Sequence, residues 1–197
     1  MTLPIDEKKR RKVARHMTAI IETLAQGKES TEEQKRLDLK NTPERVAKML
    51  VDELFSYPPA PKLHLTKMPR GSVDILAEGP IGFSSSCAHH LLPFTGHAWF
   101  AYLGDTKVIG LSKIARVVHY YSKRFQIQER LTNQCLKHLT HVLQPKAALM
   151  VMRAEHGCMT CRGVSQPDVR TVTSALYVQE GVGDSVRDEL YRAIDRC

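Results

Sequence analysis

The stretch SSSCAHHLLPF, residues 84–94, places one thiol and two imidazoles within four consecutive residues. Cys87 and His90 are three residues apart, and His89 precedes His90 directly. Thiolate and imidazole are the ligands that zinc prefers in proteins. Three interpretations follow from this pattern: polar residues inside a core, a structural zinc site, or a catalytic metal site.

A second group of the same side chains lies downstream in AEHGCMTCRGV, which contains His156, Cys158 and Cys161. A metal held by Cys87, His90 and Cys158 would keep a fourth position open, as catalytic zinc does. If Cys161 joined them, the site would be closed and structural. The spacing alone leaves both open, together with buried free cysteines and a redox pair of Cys158 and Cys161.

Two further histidines could move protons beside such a metal. We expect His89 to point away from His90, because neighbours in a short turn diverge. A neutral imidazole next to a metal suits proton transfer, and His156 is the second candidate. For each of them, a structural hydrogen bond is an equally good interpretation.

A candidate phosphate site lies in VIGLSKIARVV, residues 108–118, where a predicted strand leads into a predicted helix. Ser112 stands at the expected N-cap, and Lys113 and Arg116 share one face of the first turn. Free backbone N–H groups and two cations at one helix start favour an anion. Arg162, close to Cys158, adds a cation. The alternative is a capped helix with a solvated basic face.

Gln128 and Glu129 open the next predicted helix, in FQIQERLTNQ. A carboxylate there could accept two hydrogen bonds from the N1–H and the 2-amino group of guanine. From sequence alone, an acid in a first helical turn is the commoner explanation of Glu129.

Composition limits the class of protein. The chain has 197 residues and a net charge of +8, which fits nucleic acid, an acidic surface or a charged small anion. We interpret the basic run at residues 8–12 as a solvated helix face. No apolar run is long enough for a membrane span, and no signal sequence is evident, so we expect a cytoplasmic protein with reduced cysteines. A non-catalytic zinc protein that binds nucleic acid is the second hypothesis, and it requires Cys161 as fourth ligand.

The N-terminal part is predicted to be helical. Apolar spacing predicts one helix over residues 6–26 and another over 41–55, with Thr42 as its cap. The second helix should bury one stripe, made of Val46, Met49, Leu50 and Leu54. Three prolines in residues 56–65 predict an extended connection. We therefore divide the chain into a helical segment, 1–65, and a catalytic domain, 66–197.

The second part alternates strands and helices. Strands are predicted over 73–86, 97–104, 107–111, 148–156 and 169–179. Helices are predicted from Ser112, over 128–143 and over 184–194. This order indicates an α+β domain with an antiparallel sheet and helices on one face.

Several of these motifs together resemble GTP cyclohydrolase I. They are CAHHLLPF, VIGLSKIARVV, QIQERLT, EHGCMTCRGV and RTVTSAL, with TPERVAKM near the N-terminus. The likeness covers residues 40–195, roughly. The resemblance implies a tunnelling fold (T-fold), assembled as a homodecamer of two pentamers with active sites between subunits. It also implies hydrolysis of GTP to 7,8-dihydroneopterin triphosphate and formate, a first step towards pterins, folate or 7-deazaguanine.

The resemblance further implies a role for each matched residue. The zinc ligands would be Cys87, His90 and Cys158. The catalytic residues would be His89, His156, Ser112 and Gln128. Those that bind the substrate would be Glu129, Lys113, Arg116, Arg162 and Arg45. The two histidines would transfer protons, Glu129 would hold the guanine edge, and Arg45 would reach in from a neighbouring subunit. No nucleic acid or membrane partner is implied.

Two positions depart from the family pattern. Ala88 stands where the family usually has glutamate after the first zinc cysteine, which affects the surroundings of the metal rather than its ligands. Cys161 stands where other members often carry an apolar residue, and it could oxidise together with Cys158. A nitrile reductase of the same fold is a third hypothesis, but it gives the paired histidines no role.

Overall fold

The computed structural model describes residues 6–25, 39–69 and 74–197. The chain forms two compact units, one up to Pro58 and the other from Pro59 to Cys197. The predicted boundary after residue 65 stays a prediction. All five cysteines are free thiols. Within the described residues, no helix combines the length and the apolarity needed to cross a bilayer.

The described part of the N-terminal unit includes two helical elements. Helix α1 spans Glu7–Leu24, and its cap Asp6 accepts a hydrogen bond from the backbone N–H of Lys9 at 2.9 Å. Helix α2 spans Thr42–Lys48 and continues as a π-helical turn, Met49–Leu54. A two-pronged ion pair between Arg10 and Asp52 joins the two elements. Both predicted helices are therefore confirmed.

Two details of the second helix were predicted wrongly. The N-cap is Asn41 rather than Thr42, and its side chain makes no capping hydrogen bond. The buried positions are Pro43, Ala47, Val51 and Phe55, while Met49 of the predicted stripe is 40% exposed. The other predicted positions, Val46, Leu50 and Leu54, are half-buried. The π-helical turn takes more residues per turn than an α-helix, so a 3.6-residue period does not identify the buried positions.

The C-terminal unit is built on a five-stranded sheet with the order β5-β2-β3-β6-β7. Its strands are β2 (Ile75–Cys87), β3 (Pro93–Leu103), β5 (Phe125–Gln126), β6 (Ala147–His156) and β7 (Thr171–Val178). All neighbours are antiparallel except β5, which pairs in parallel with β2. Strands β1 (Leu65–Lys67) and β4 (Lys107–Ile109) form a separate antiparallel pair.

Helices α3 (Leu111–Ser122) and α4 (Gln128–Leu143) cover one face of the sheet. Their apolar stripes, which include Ile114, Leu131 and Leu139, are fully buried in the main core. The α+β class and the mainly antiparallel sheet, with α3 and α4 on one face, are confirmed. Helix α5 is a single turn, Gly157–Thr160. Helix α6, Val186–Asp195, packs against part of the opposite face.

Several strand ends meet at one end of this sheet. In the register, Cys87 lies beside Gln126, and Phe94 lies beside His156. Thr171 begins β7 opposite Ala154, next to the same end. Helix α4 starts there too, because β5 precedes it by a single residue. The fold thus collects the motifs of residues 84–94, 125–134 and 154–164 at one place.

Candidate active site

A tight turn after β2 presents the first thiol and the two imidazoles. The Cys87 backbone N–H donates to Leu92 O at 2.8 Å, and the Leu91 N–H donates to Cys87 O at 2.9 Å. Leu91 adopts a left-handed conformation, with φ of 59°. The Ala88 N–H donates to Gln126 O at 2.8 Å, which joins the turn to β5. The backbone therefore fixes the direction of the side chains in this turn.

Cys87, His90 and Cys158 form a cluster that could hold a metal ion. Their ligand atoms all lie within 4.8 Å of one another, and Cys87 Sγ is 3.9 Å from His90 Nδ1. Ligand atoms around tetrahedral zinc are separated by about 3.5–3.8 Å, as its bond lengths require. Two thiols and one imidazole at these distances fit zinc with one coordination position left open.

Cys161 does not belong to this cluster. Its side chain is exposed, and its thiol donates a hydrogen bond to Gly157 O at 2.8 Å. The hypothesis of a closed, four-ligand site requires that thiol among the ligands. The geometry therefore favours the open arrangement over the structural one.

His89 lies closer to the cluster than expected. Its Nδ1 is 4.0 Å from Cys87 Sγ, and its ring meets that of His90 edge to face at 6.3 Å. The expectation that the two imidazoles point apart is wrong, because the tight turn brings both of them round to the same sulfur. The His89 ring thus lies beside the cluster.

Electrostatics at Cys158 favour a bound cation. Burial raises the pKa of the Cys158 thiol, and the neighbouring Cys87 raises it further, whereas Arg162 lowers it. Two thiolates this close repel each other unless a positive charge lies between them. A divalent ion provides that charge, since a coordinated thiol is deprotonated outright.

His156 is held at the end of β6 by two contacts. Its ring stacks on Phe94 with parallel planes and centroids 4.7 Å apart, and its Nε2 is 2.7 Å from Gln128 Oε1. Burial lowers the pKa of His156, and the charge of Glu129 opposes that shift. The histidine is therefore biased towards its neutral form, in which it can accept a proton.

Gln128 and Glu129 are adjacent but point to different surroundings. The Gln128 side chain is 1% exposed and belongs to the polar network around His156. Glu129 is exposed in the first turn of α4 and acts electrostatically on His156. The direct catalytic contact predicted for Gln128 stays a prediction, whereas Glu129 is accessible to a ligand.

The predicted phosphate residues lie on the first two turns of α3. The N-cap is Gly110 and not Ser112, so it lies two residues earlier than the sequence pattern indicates. Ser112 and Arg116 are exposed, and Lys113 is half-buried. The two cations are three residues apart and share one helix face, as predicted.

The phosphate residues lie far from the metal cluster of the same chain. The C-terminal end of α3 is next to the cluster, since Ser85 Oγ donates to Ser122 O at 2.7 Å and His119 Nε2 lies 3.0 Å from Gly82 O. Helix α3 therefore runs in the same direction as β2, and its N-terminal end lies away from Cys87. The helical rise from Lys113 to Ser122 and the strand rise from Ser85 to Cys87 together give a path of about 20 Å.

The remaining predicted cations are both exposed. Arg162 lies four residues after Cys158, near enough to lower the pKa of its thiol. Arg45 is on α2 of the N-terminal unit. The structure thus gathers the residues Cys87, His89, His90, Cys158, Gln128, Glu129, His156 and Arg162, and it leaves the α3 group apart.

The sequence analysis missed three residues of this site. They are Phe94, Thr132 and Thr173. Phe94 stacks on His156, and the two threonines are linked to Gln128. A signal was present for Thr173, since Thr171 and Thr173 alternate along β7 and so share one face. Its partner on α4 could not be read from that alternation.

The architecture and the site define an α+β enzyme whose metal-type ligands stand beside two histidines. Comparison with known proteins is more specific: the chain belongs to the GTP cyclohydrolase I family, whose model matches residues 13–195. The family and the enzyme class predicted from the motifs are confirmed.

Similar proteins named GTP cyclohydrolase 1 occur in several bacteria. That of Clostridium perfringens strain 13 is 37% identical over 185 residues, which cover 93% of this chain and 96% of that protein. That of Sulfurihydrogenibium sp. is 48% identical over 147 residues, or 74% and 76% of the two chains. A solved archaeosine synthase QueF-Like structure in the apo form is 14% identical, with a TM-score of 0.43 over 64% of this chain and 99% of that one.

Proposed function

We propose that this protein hydrolyses GTP to 7,8-dihydroneopterin triphosphate and formate with a zinc ion bound by Cys87, His90 and Cys158. The single observation that carries the proposal is the convergence of these three ligands without Cys161, in a chain of this family. When bound, zinc supplies a Lewis acid and lowers the pKa of water towards about 7.

The two remaining histidines transfer protons in this proposal. His89, next to the cluster, holds a proton beside the purine ring that opens. His156, biased towards the neutral form by burial, accepts one. Both lie at the same sheet end as the ligands, so one bound purine can contact them together.

Substrate recognition divides between the guanine and the phosphates. The exposed carboxylate of Glu129 accepts hydrogen bonds from the guanine N1–H and 2-amino group. Lys113, Arg116 and Arg162 neutralise the triphosphate, and Ser112 contacts the ribose and the phosphates. Arg45 adds a further cation to the phosphates.

We further propose that the active site is shared between subunits of a homodecamer made of two pentamers. The backbone path of about 20 Å between Lys113 and Cys87 supports this, since the two groups of residues do not come together within one chain. A second copy that presents the start of its α3 would complete the site. Closed rings of identical subunits repeat such a contact at every interface.

The reaction belongs, in this proposal, to the cytoplasm and to the first step of folate, other pterin or 7-deazaguanine synthesis. The product keeps its triphosphate and is therefore highly charged, which suits a +8 chain that binds a polyanion.

The test is the reaction itself. Zinc-loaded protein is incubated with GTP, and formate and the fluorescent oxidised pterin are measured together. We expect both products in equal amounts. If the zinc-loaded wild-type protein makes neither, the proposed function is wrong.

A further inference from the structure

The buried carboxamide of Gln128 is the most highly bonded side chain at the site. Its NH₂ group, which has two protons to donate, lies 3.1 Å from Met152 O, 3.0 Å from Thr171 O and 3.2 Å from Thr173 Oγ1. Its Oε1 faces His156 Nε2 at 2.7 Å. With 1% of its surface exposed, this side chain meets other protein groups rather than a substrate.

These partners fix which end of the carboxamide faces the histidine. Backbone carbonyl oxygens accept hydrogen bonds and never donate them. Rotating the carboxamide by half a turn would place its oxygen against Met152 O and Thr171 O, which is repulsive. The NH₂ group must therefore face the two carbonyls, and the oxygen must face His156.

The orientation of the carboxamide in turn fixes the proton on His156. Because Gln128 Oε1 can only accept, the ring nitrogen 2.7 Å away must carry a hydrogen. A flipped ring would put a carbon at that distance, closer than C–H···O contacts allow. Stacking on Phe94 holds the plane of the ring. The neutral imidazole thus has its proton on Nε2 and its lone pair on Nδ1.

Two threonines extend this network. The Thr132 hydroxyl donates to Gln128 O at 2.8 Å and lies 2.7 Å from Thr173 Oγ1. Since Thr132 has a single hydroxyl proton, Thr173 donates to Thr132, and the Thr173 oxygen can share one of the two NH₂ protons of Gln128 with a backbone carbonyl. In this hydrogen-bond network, the donor and the acceptor of each bond are therefore fixed.

We propose that Gln128 is a positioning residue that fixes the tautomer of His156, with Thr173 and Thr132 orienting its carboxamide. Nδ1 is then the ring nitrogen that accepts the proton in catalysis. This last statement rests on the proposed function, whereas the tautomer is a property of the protein itself.

The test uses full-length, zinc-loaded protein with ¹⁵N-labelled histidines and solid-state NMR. The His156 signal is assigned by its loss in His156→Gln. We expect wild-type His156 to have a protonated Nε2 and a bare Nδ1 when neutral. In Gln128→Met, which keeps the volume but removes the acceptor, we expect the Nδ1–H tautomer to appear.

The kinetics separate positioning from a merely structural role. We expect kcat of Gln128→Met to fall by about 10²-fold, the usual contribution of a general acid or base, with KM for GTP and zinc content nearly unchanged. Thr173→Val should also increase the Nδ1–H tautomer of His156, with a smaller loss of kcat than Gln128→Met. Thr173→Ser keeps the hydroxyl, so it should have the wild-type tautomer and the wild-type kcat.

The proposal is overturned if wild-type His156 carries its neutral proton on Nδ1, or if Gln128→Met keeps both the Nε2–H signal and its kcat. If Gln128→Met does not fold, the wild-type spectrum and the Thr173 pair decide the matter. Failure of the proposed function is distinguishable, because the wild-type protein would then make no formate while its His156 spectrum could still be measured.

Discussion

The ligand end of the sheet and the start of α3 differ in how deeply their side chains are buried and in how firmly hydrogen bonds hold them. At the ligand end, Cys87 is 6% exposed and backbone hydrogen bonds hold its turn on both sides. At the start of α3, Ser112 and Arg116 point from an exposed helix surface. In the first region the backbone of the turn and the Cys87 side chain are held in place, whereas in the second the side chains are exposed.

This difference matches the chemistry that each region is proposed to perform. Breaking covalent bonds needs groups held within fractions of an ångström, so their supports must be buried. Binding a triphosphate needs charge, which long exposed side chains provide with less exact placement. In the proposed assembly, the exposed region is the one that a second subunit completes.

We expect the largest effect on activity from removing one of the three predicted zinc ligands. We expect Cys158→Ser to have no detectable formate release and to lose nearly all bound zinc, because serine hydroxyl is a poor zinc ligand. Zinc content by mass spectrometry and the GTP assay measure this. Cys161→Ser is the matched control and should keep both its zinc and its formate release. A loss of either in this control would show that the Cys161 thiol belongs to the site.

The second prediction tests whether the two regions meet across subunits. The double variant Lys113→Ala, Arg116→Ala and the variant Cys158→Ser should each be nearly inactive alone. Co-assembled in equal amounts, they should recover about a quarter of wild-type activity, since chance pairing gives that share of intact sites. Verified mixed assemblies without activity would contradict a shared site.

The third prediction concerns the sheet under the ligand end. A Cβ at Gly96 would overlap Arg153 O and Ala154 Cα, so Gly96→Ala should lower the free energy of unfolding by about 1–3 kcal/mol. Gly82→Ala, where a Cβ meets nothing within 4 Å, is the control and should change it by less than about 0.5 kcal/mol. Urea unfolding followed by Trp99 fluorescence reports on this sheet, and equal effects of the two variants would refute the argument.

The smallest expected effect lies in α4, away from both regions. Burial, with a smaller contribution from His141, lowers the pKa of His138, whose ring meets Tyr121 edge to face at 5.7 Å. The unfolded state therefore binds this proton first as pH falls. The free energy of unfolding should decline as pH falls below about 6.5 and level off below the folded pKa.

The substitution His138→Gln should remove that part of the pH dependence, whereas His64→Gln, at an exposed position, should leave it unchanged. Urea unfolding between pH 5 and pH 8 measures both variants. An unchanged slope in His138→Gln would show that other groups cause the decline.

Much of this fold could be predicted from periodicity. Helix α4 has the predicted bounds, 128–143, because a long amphipathic stripe identifies a helix well. The cluster of Cys87, His90 and Cys158 was predicted because its ligands fall into two short motifs. The resemblance to a family then selected one arrangement among those that the spacing left open.

What could not be predicted depends on contacts between distant residues. Gln128 is buried because β7 lies beside α4. Sequence alone did not indicate this, since polar residues in the first turn of a helix are normally solvated. The π-helical turn at Met49–Leu54 depends on packing that apolar spacing does not reveal. The N-cap of α3 was predicted two residues too late, since a helix end is poorly defined by local sequence.

The direction of α3 has a consequence for the newly made protein. Under the proposed shared site, the predicted phosphate-binding turns and the predicted metal ligands of one polypeptide belong to two different active sites. A newly made monomer would then be inactive, and GTP turnover would begin only when the proposed ring closes. The rate of turnover would in that case report directly on the amount of correctly assembled protein.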